Sequence, residues 1–409
     1  MDVATEEVVI VGGGIAGLAT AVALHRVGVR CLVLEKAQEL RATGGGIILF
    51  RNAWRALEAL GVAHSLSSLC TPSFSRGRIT HVVGGVTRST HAHSYGSGAE
   101  IRVVHRKTLL MVLAKELPQG TIRFSSHLTS METKTVSKTR IVLLHLQDGS
   151  VIHAKAVIGC DGIHSVVAQW LGLSSPIYDG RRAIRGLASS PQFHDLNMEG
   201  HQIVGEGVRA GVAPISESQV HWFIVHKASA RADHSEDPKQ VQQDIMENLA
   251  KGFPSLFLDI VQNTDLTTVT CSALSFRAPW NLIFGPSCKG NVTVAGDALH
   301  PMTSDLGQGG CVALEDAVVL AQKIAALTRR QGEEDAILMM DHSVGEAFQR
   351  YVKERKWRLA WVITGSFLTG WIQTSGTGWF VRLVREKIFL KFLYPRILKV
   401  SYYDCGKLN

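Results

Sequence analysis

Val8 to Val11 is a short, wholly apolar run, and such a run reads as a strand buried on both faces, as in a parallel sheet. Glycines follow it. Ile15 to Val27 then carries helical spacing, and Val29 to Leu34 is a second buried strand, so the opening segment predicts a βαβ unit. Asn52 to Leu60 and Arg106 to Leu117 predict amphipathic helices. Ala154 to Gly159 and Asn291 to Ala295 read as two further parallel-type strands, each followed by a Gly/Asp turn and a helix. Between them, Ile177 to Phe284 changes texture to alternating strands such as Val220–Val225 and Thr267–Leu274, separated by a charged, loop-like stretch over Ala230–Lys239. This pattern predicts a mostly antiparallel sheet inserted into a nucleotide-binding α/β fold. The expected division is a discontinuous first domain over 1–75, 98–176 and 285–345, a second over 76–97 and 177–284, and a C-terminal helical segment over 346–409.

Composition narrows the class. The 409 residues are 45% hydrophobic and 19% charged, enough for a large core and two domains. The formal charge of +8 suits attraction of anionic nucleotides and substrates. Nucleic-acid binding is not expected, because no block of like charges and no zinc-finger spacing occurs. Seven scattered cysteines, never in a C-x-x-C pair, argue against a disulfide scaffold or a metal site and for a reducing compartment. The N-terminus enters a strand at once, with no signal or transit pattern, so a cytoplasmic location is expected. The apolar stretch Leu359 to Ile372 is too short to span a bilayer. It reads as helix capping the core, or as peripheral membrane contact through Trp361, Phe367 and Trp371 aided by Arg382, Arg385 and Lys387.

Three motifs carry the chemistry. The first is Gly12-Gly13-Gly14-Ile15-Ala16-Gly17, set between a buried strand and a helix, with Glu35 at the tip of the next strand. Gly12 makes the tight turn, Gly14 admits a pyrophosphate to the backbone, and Gly17 lets helix and strand pack closely. The helix N-terminus offers N–H groups and partial positive charge to phosphates. Glu35 suits ribose hydroxyls and disfavours a 2′-phosphate, so the site fits FAD or NAD rather than NADP. The second motif is Gly159-Cys160-Asp161-Gly162, a strand end before a helix. The third runs from Gly296-Asp297 through His300-Pro301 to Gly307-Gln308-Gly309-Gly310 and a helix from Cys311.

Together, in this order, these residues resemble the single-component, class A flavoprotein monooxygenases typified by para-hydroxybenzoate hydroxylase, and among them plant members similar to salicylate hydroxylase and zeaxanthin epoxidase. The resemblance covers about residues 6 to 345. It implies a Rossmann-like FAD-binding domain with an inserted substrate domain. It also implies FAD contacts from Arg41 and Arg106, a ribityl contact from Asp297, and service by Asp161 and Gly162 to both FAD and a transient NADPH or NADH. The implied cofactor set is Gly12, Gly14, Ile15, Ala16, Gly17, Glu35, Lys36, Arg41, Gly46, Ile47, Arg106, Asp161, Gly162, Gly296, Asp297, Pro301, Gly307, Gln308, Gly309 and Gly310. The helix from Cys311 is expected to stabilise the anionic reduced flavin. One position departs from the family pattern: Ser304 stands where a proline is usual, leaving Pro301 to stiffen the loop.

The activity implied is insertion of one oxygen atom from O2, through a flavin C4a-hydroperoxide, into a small or medium aromatic or unsaturated compound. No second G-x-G-x-x-G is present, since Gly96-Ser97-Gly98 and Gly205-Glu206-Gly207 lack the third glycine. No halogenase-type W-x-W-x-I-P occurs; the nearest match is His221-Trp222-Phe223-Ile224. A flavin oxidase or dehydrogenase, and a non-catalytic flavin protein, remain as alternatives on the same scaffold. Candidate active-site residues are Arg51, which suits an anionic substrate, His300 and Pro301 beside the Asp297 turn, and Trp222 with His226 on one strand face. The opposite face carries His221, Phe223 and Val225, and the pattern does not choose between the two faces. For His300 a structural hydrogen bond competes with proton transfer. His164 and Ser165 are read as caps of the helix after Asp161.

Overall fold

The computed structural model describes residues 5–40, 45–70, 73–74, 76–94, 100–136, 139–190, 199–228, 237–328, 336–374, 396–397 and 399–408. Arg41, Gly96-Ser97-Gly98, and Arg382, Arg385 and Lys387 lie outside them.

Thr5–Val11 pairs in parallel with Leu32–Leu34 on one side and with Val151–Gly159 on the other. Val292–Val294 extends the parallel set beyond Val151–Gly159, and Ile122–Arg123 extends it beyond Leu32–Leu34. Register explains why the motifs meet. Val11 lies opposite both Leu34 and Gly159, and Gly159 lies opposite Val294. The turns at Gly12, Glu35, Cys160 and Ala295 therefore leave one carboxyl edge of the sheet at one level, the edge where open α/β sheets bind ligands. The helix Ile15–Arg26 is buried from Ile15 to Leu24 on every side, because it is sandwiched between this sheet and the helix Gly309–Thr328. An all-round apolar helix is what that position requires.

A seven-stranded second sheet runs in the order Thr270–Phe276, Ile177–Ser189, Gln219–Lys227, Val208–Pro214, Gly200–Val204, Arg76–Val83, Val86–Ser94. Its pairings are antiparallel except that between Gly200–Val204 and Arg76–Val83. One face is covered by the helices Pro238–Asp244 and Ser255–Gln262, whose Val241, Phe257, Ile260 and Val261 pack with Ile184, Trp222 and Ile224. The first of these helices takes up the last two residues of the stretch expected as a loop over Ala230–Lys239, of which residues 230–236 lie outside the described residues; Asp237 caps it by accepting from the Lys239 N–H at 3.0 Å, and Pro238 occupies its first turn. The strand expected at Thr267 begins at Thr270, after a short turn at Leu266–Thr268.

A 39-residue helix, Ala336–Thr374, packs along Gly309–Thr328. Its inner face is fixed by buried charge. The Arg355 guanidinium donates to Asp316 (2.8 Å) and Glu315 (2.8 Å), and Arg358 donates to Glu315. Burial pushes the Asp316 carboxyl up, but the charges of His300 and Arg355 outweigh it and hold it down at about 2. Among the described residues, no helix is long and apolar enough to cross a membrane.

Candidate active site

Each glycine of the first motif has a steric reason. Gly12 has φ +105°, and a Cβ there would lie 2.4 Å from the Cys160 carbonyl oxygen. A Cβ on Gly17 would lie 1.9 Å from the Gly12 carbonyl oxygen. Gly14 is the contrast: a Cβ there would meet no protein atom within 4 Å, so its backbone is approachable. Glu35 lies against this turn, with Oε2 accepting from the Gly13 N–H and Oε1 from the Ala37 N–H, both at 2.8 Å. Each oxygen keeps capacity for a further donor.

Asp161 performs two tasks. Its Oδ2 accepts from the Val166 N–H at 2.8 Å, capping the helix Val166–Leu171 together with Ser165, whose hydroxyl accepts from the Ala168 N–H. His164 is exposed. Among the described residues the other oxygen of Asp161, Oδ1, is buried with no hydrogen-bond partner, and burial raises this carboxyl above its ordinary value. A buried acceptor without a donor is costly unless a ligand supplies one. Asp297 stands in the turn Gly296–Ala298 with its side chain exposed, and its Oδ1 would lie 3.9 Å from a Cβ on Gly309. Gly296 has φ +59° and would place a Cβ 2.6 Å from that of Ala16, so the third motif packs directly on the first. A Cβ on Gly310 would likewise lie 2.5 Å from Ile47 Cδ1. Arg106 opens the helix Arg106–Lys115 with its backbone N–H on the Gly45 carbonyl (3.2 Å), and its side chain and that of Lys36 are exposed. Open backbone at Gly14, an unsatisfied carboxylate oxygen at Asp161 and free carboxylate capacity at Glu35 and Asp297 fit a polyhydroxylated dinucleotide.

Beside the Gly307–Gln308 turn lies a cavity of about 140 Å³. Its walls are mostly apolar, including Ile48, Phe50, Phe74, Ile101, Val212 and Phe223, with Arg51, His201, Gln202 and Arg209 as polar points. Four residues near the C-terminus, Ile397, Val400, Ser401 and Tyr402, complete the wall. That segment is held by its backbone: the carbonyl of Tyr402 accepts from Arg55 (2.6 Å), that of Val400 from Arg358 (2.9 Å), and that of Cys405 from Gln322 (2.9 Å).

Arg51 stands on the cavity wall, its guanidinium 5.7 Å from the centre of the Tyr402 ring. Trp222 and His226 do not, and the reading that set them at the substrate is corrected. Trp222 is buried under the covering helices, edge-on to Phe257, with its indole N–H on the Thr264 hydroxyl at 2.8 Å. His226 is buried with Nδ1 2.9 Å from the Lys227 carbonyl. The cavity takes Phe223 from the opposite face, while His221 turns its Nδ1 to the Gly46 N–H (3.3 Å). Burial, then the Arg185 charge, lowers His221 to about 4, so it is neutral at pH 7 and accepts that bond. For His300, of the two readings the geometry is that of the structural hydrogen bond, away from the cavity wall. It is fully buried with Nε2 2.5 Å from Asp316 Oδ2, and it braces the Gly296 turn, whose N–H also donates to Asp316. Pro301 is buried, its carbonyl accepting from the Arg277 N–H at 3.0 Å, and it is not part of the cavity wall. Sequence reading missed Arg181, Arg185, Arg209 and Asp305. Arg181 and Arg209 both bond the Asp305 carboxylate. Asp305, inside the third motif and next to Ser304, was the one visible signal.

The family model described as FAD binding domain matches residues 5–354. "Monooxygenase 2" of Arabidopsis thaliana is 38% identical, with 98% of each chain covered. A chloroplastic zeaxanthin epoxidase of Oryza sativa subsp. japonica is 27% identical over 86% of this chain and 53% of that protein. The structure of Klebsiella pneumoniae HpxO complexed with FAD and uric acid shares the fold, with a TM-score of 0.78, 23% identity, and 99% of this chain and 98% of that one covered. The chain belongs to the FAD binding domain family, and within it to the FAD-dependent monooxygenases.

Proposed function

We propose that this chain is an NAD(P)H-dependent monooxygenase that places one atom of O2 into a small or medium aromatic or unsaturated compound held in the cavity. The observation that carries this reading is the convergence of Gly12–Gly17, Asp161 and Gly296–Asp297 at one sheet edge, with an apolar cavity against the adjoining Gly307–Gln308 turn.

The helix starting at Ile15 faces the pyrophosphate with free N–H groups, and Glu35 receives hydroxyls of the adenosine ribose. Asp297 holds the ribityl chain, and Asp161 Oδ1 accepts from the cofactor or the passing nicotinamide nucleotide. Gly307 to Gly310, leading into the helix Gly309–Thr328, turn an N-terminal partial charge toward the flavin ring. When bound, FAD supplies the two-electron chemistry with NAD(P)H and the activation of O2. The protein then orients the substrate and excludes water: Phe50, Phe74, Ile101 and Phe223 offer a dry apolar wall, and Arg51 offers a cation to an acidic substituent.

The test is product isotope content. With 18O2, NAD(P)H and an aromatic panel, the product carries one labelled oxygen; unlabelled product with stoichiometric hydrogen peroxide makes the chain an oxidase instead. A second surface has its own reading. Trp357, Trp361 and Trp371 are 62%, 43% and 49% exposed along one stripe of the long helix, which suits peripheral contact with lipid headgroups. Phe367 takes no part, since its ring packs on Phe276 at 4.8 Å. Failure to co-sediment with anionic liposomes would refute that contact.

A further inference from the structure

Three consecutive residues of the loop that enters the Gly307–Gln308 turn are each gripped from outside. Thr303 is tied to the long helix: its hydroxyl donates to Ser366 Oγ (3.1 Å), and Ser366 donates to the Thr303 carbonyl (2.6 Å). Asp305 receives Arg181 (3.1 and 2.9 Å) and Arg209 (3.2 Å) from two strands of the second sheet. Between them, Ser304 Oγ accepts from Arg185 Nη2 at 3.1 Å, and Arg185 Nη1 donates to Ser272 at 2.8 Å.

The backbone here is already shaped for proline. Thr303 sits at φ −63°, ψ 152°, the region a residue before proline must occupy, and Ser304 opens a single 3-10 turn. Among the described residues, the Ser304 N–H donates no hydrogen bond, so a proline at 304 would forfeit none. A serine in that place leaves the backbone free to leave this conformation unless something holds its side chain. Arg185 is held there against electrostatic resistance: burial, then the charge of Arg106, lowers its pKa. A partly desolvated cation beside another cation is unfavourable in itself, so its hydrogen bonds must offset that.

We propose that Arg185 is a positioning residue for the flavin loop, its bond to the Ser304 hydroxyl fixing residues 304–307 as the ring of a proline at 304 would fix them. This rests on the placement of FAD against Gly307 to Gly310 given above. The loop is thus set by a side chain of the substrate-side sheet, which ties the geometry of the cofactor face to the sheet that forms the cavity.

The experiment measures FAD affinity from the flavin fluorescence regained when purified holoenzyme is diluted, in five variants with thermal melts as a folding control. Arg185→Met and Ser304→Ala each raise the FAD Kd roughly tenfold, the worth of one charge-assisted hydrogen bond. Ser304→Pro stays within about threefold of the parent, because backbone stiffening offsets the lost bond. Arg185→Met combined with Ser304→Pro returns to within about threefold of the parent, a rescue that a general packing role for Arg185 does not produce. Ser272→Ala leaves FAD affinity unchanged. Parent-like affinity in Arg185→Met, or a double variant as weak as Arg185→Met alone, overturns the proposal. If Arg185→Met does not fold, parent-like affinity in Ser304→Ala overturns it by itself. Failure of the cofactor placement is separately visible: Asp297→Ala would then keep stoichiometric FAD.

Discussion

Gly14 and Gly17 belong to one motif, but the structure assigns opposite outcomes to filling them. At Gly14 the backbone is ordinary (φ −79°, ψ −170°), and a Cβ would meet no protein atom within 4 Å. Gly14→Val therefore loses only the difference between glycine and valine at a helix N-cap, about 1 kcal/mol. In a chain this long that lowers the melting temperature of the flavin-free protein by about 2 °C or less. The valine methyls project where a pyrophosphate must approach, so FAD affinity falls by roughly a hundredfold or more, beyond about 2.7 kcal/mol. At Gly17 a Cβ would stand 1.9 Å from a backbone oxygen of the Gly12 turn, so Gly17→Ala must displace helix from strand. Its cost falls on the fold, on the order of 2–3 kcal/mol, as for overpacked cores. Three measurements separate the cases: the visible flavin band per protein at purification, FAD titration of the flavin-free protein, and a thermal scan of that form. Gly14→Val gives a colourless protein that melts like the flavin-free parent, and Gly17→Ala gives one that melts distinctly earlier. A yellow Gly14→Val protein with stoichiometric FAD would refute the reasoning.

Asp297→Ala loses its flavin on gel filtration while keeping the parent melting temperature without cofactor, because its exposed carboxylate makes no hydrogen bond among the described residues; retained stoichiometric FAD contradicts this. Trp222→Phe removes the donor to Thr264 Oγ1, whose own O–H still reaches the Ile260 carbonyl, and lowers stability by about 1 kcal/mol in urea with substrate KM unchanged, whereas Phe223→Ala shifts KM; the reverse pattern would restore Trp222 to the substrate. Asp316 is held at about 2, below its ordinary 3.8, so it binds its proton less readily folded than unfolded. Its stabilising contribution is full above about pH 4 and is lost as pH falls toward 2. Asp316→Asn flattens the stability profile across that window in urea titrations, and an unchanged slope would count against the His300–Asp316–Arg355 assignment.

The nucleotide half of this fold was legible because its physics is local. Val8–Val11 is wholly apolar and Ala154–Gly159 and Asn291–Ala295 nearly so, short runs that suit doubly buried strands, and the glycines that follow them mark where backbone approaches backbone. The second sheet was legible as alternation, but its faces were not. In Gln219–Lys227 both faces are largely buried, one under helices and one toward the cavity, so His221, Trp222, Val225 and His226 are all buried and period two loses its meaning. The helix pair over 238–262 was hidden by its charged approach. Asp305 finds Arg181 and Arg209 across 124 and 96 positions, a pairing that no local spacing encodes. The cavity wall formed by Ile397, Val400, Ser401 and Tyr402 was invisible for a related reason, since nothing in its own sequence says which surface it will cover.

Arg55, Arg358 and Gln322 grip that terminal segment by its carbonyl oxygens, while Val400 and Cys405 sink into the core and Tyr403 lies under the Arg358 guanidinium. Substitutions on the cavity wall of this segment during divergence leave those three backbone bonds in place, because a carbonyl oxygen is the same whatever side chain its residue carries. Such a lineage can retune what it oxidises by rewriting a few terminal codons, while the machinery that handles oxygen is inherited intact.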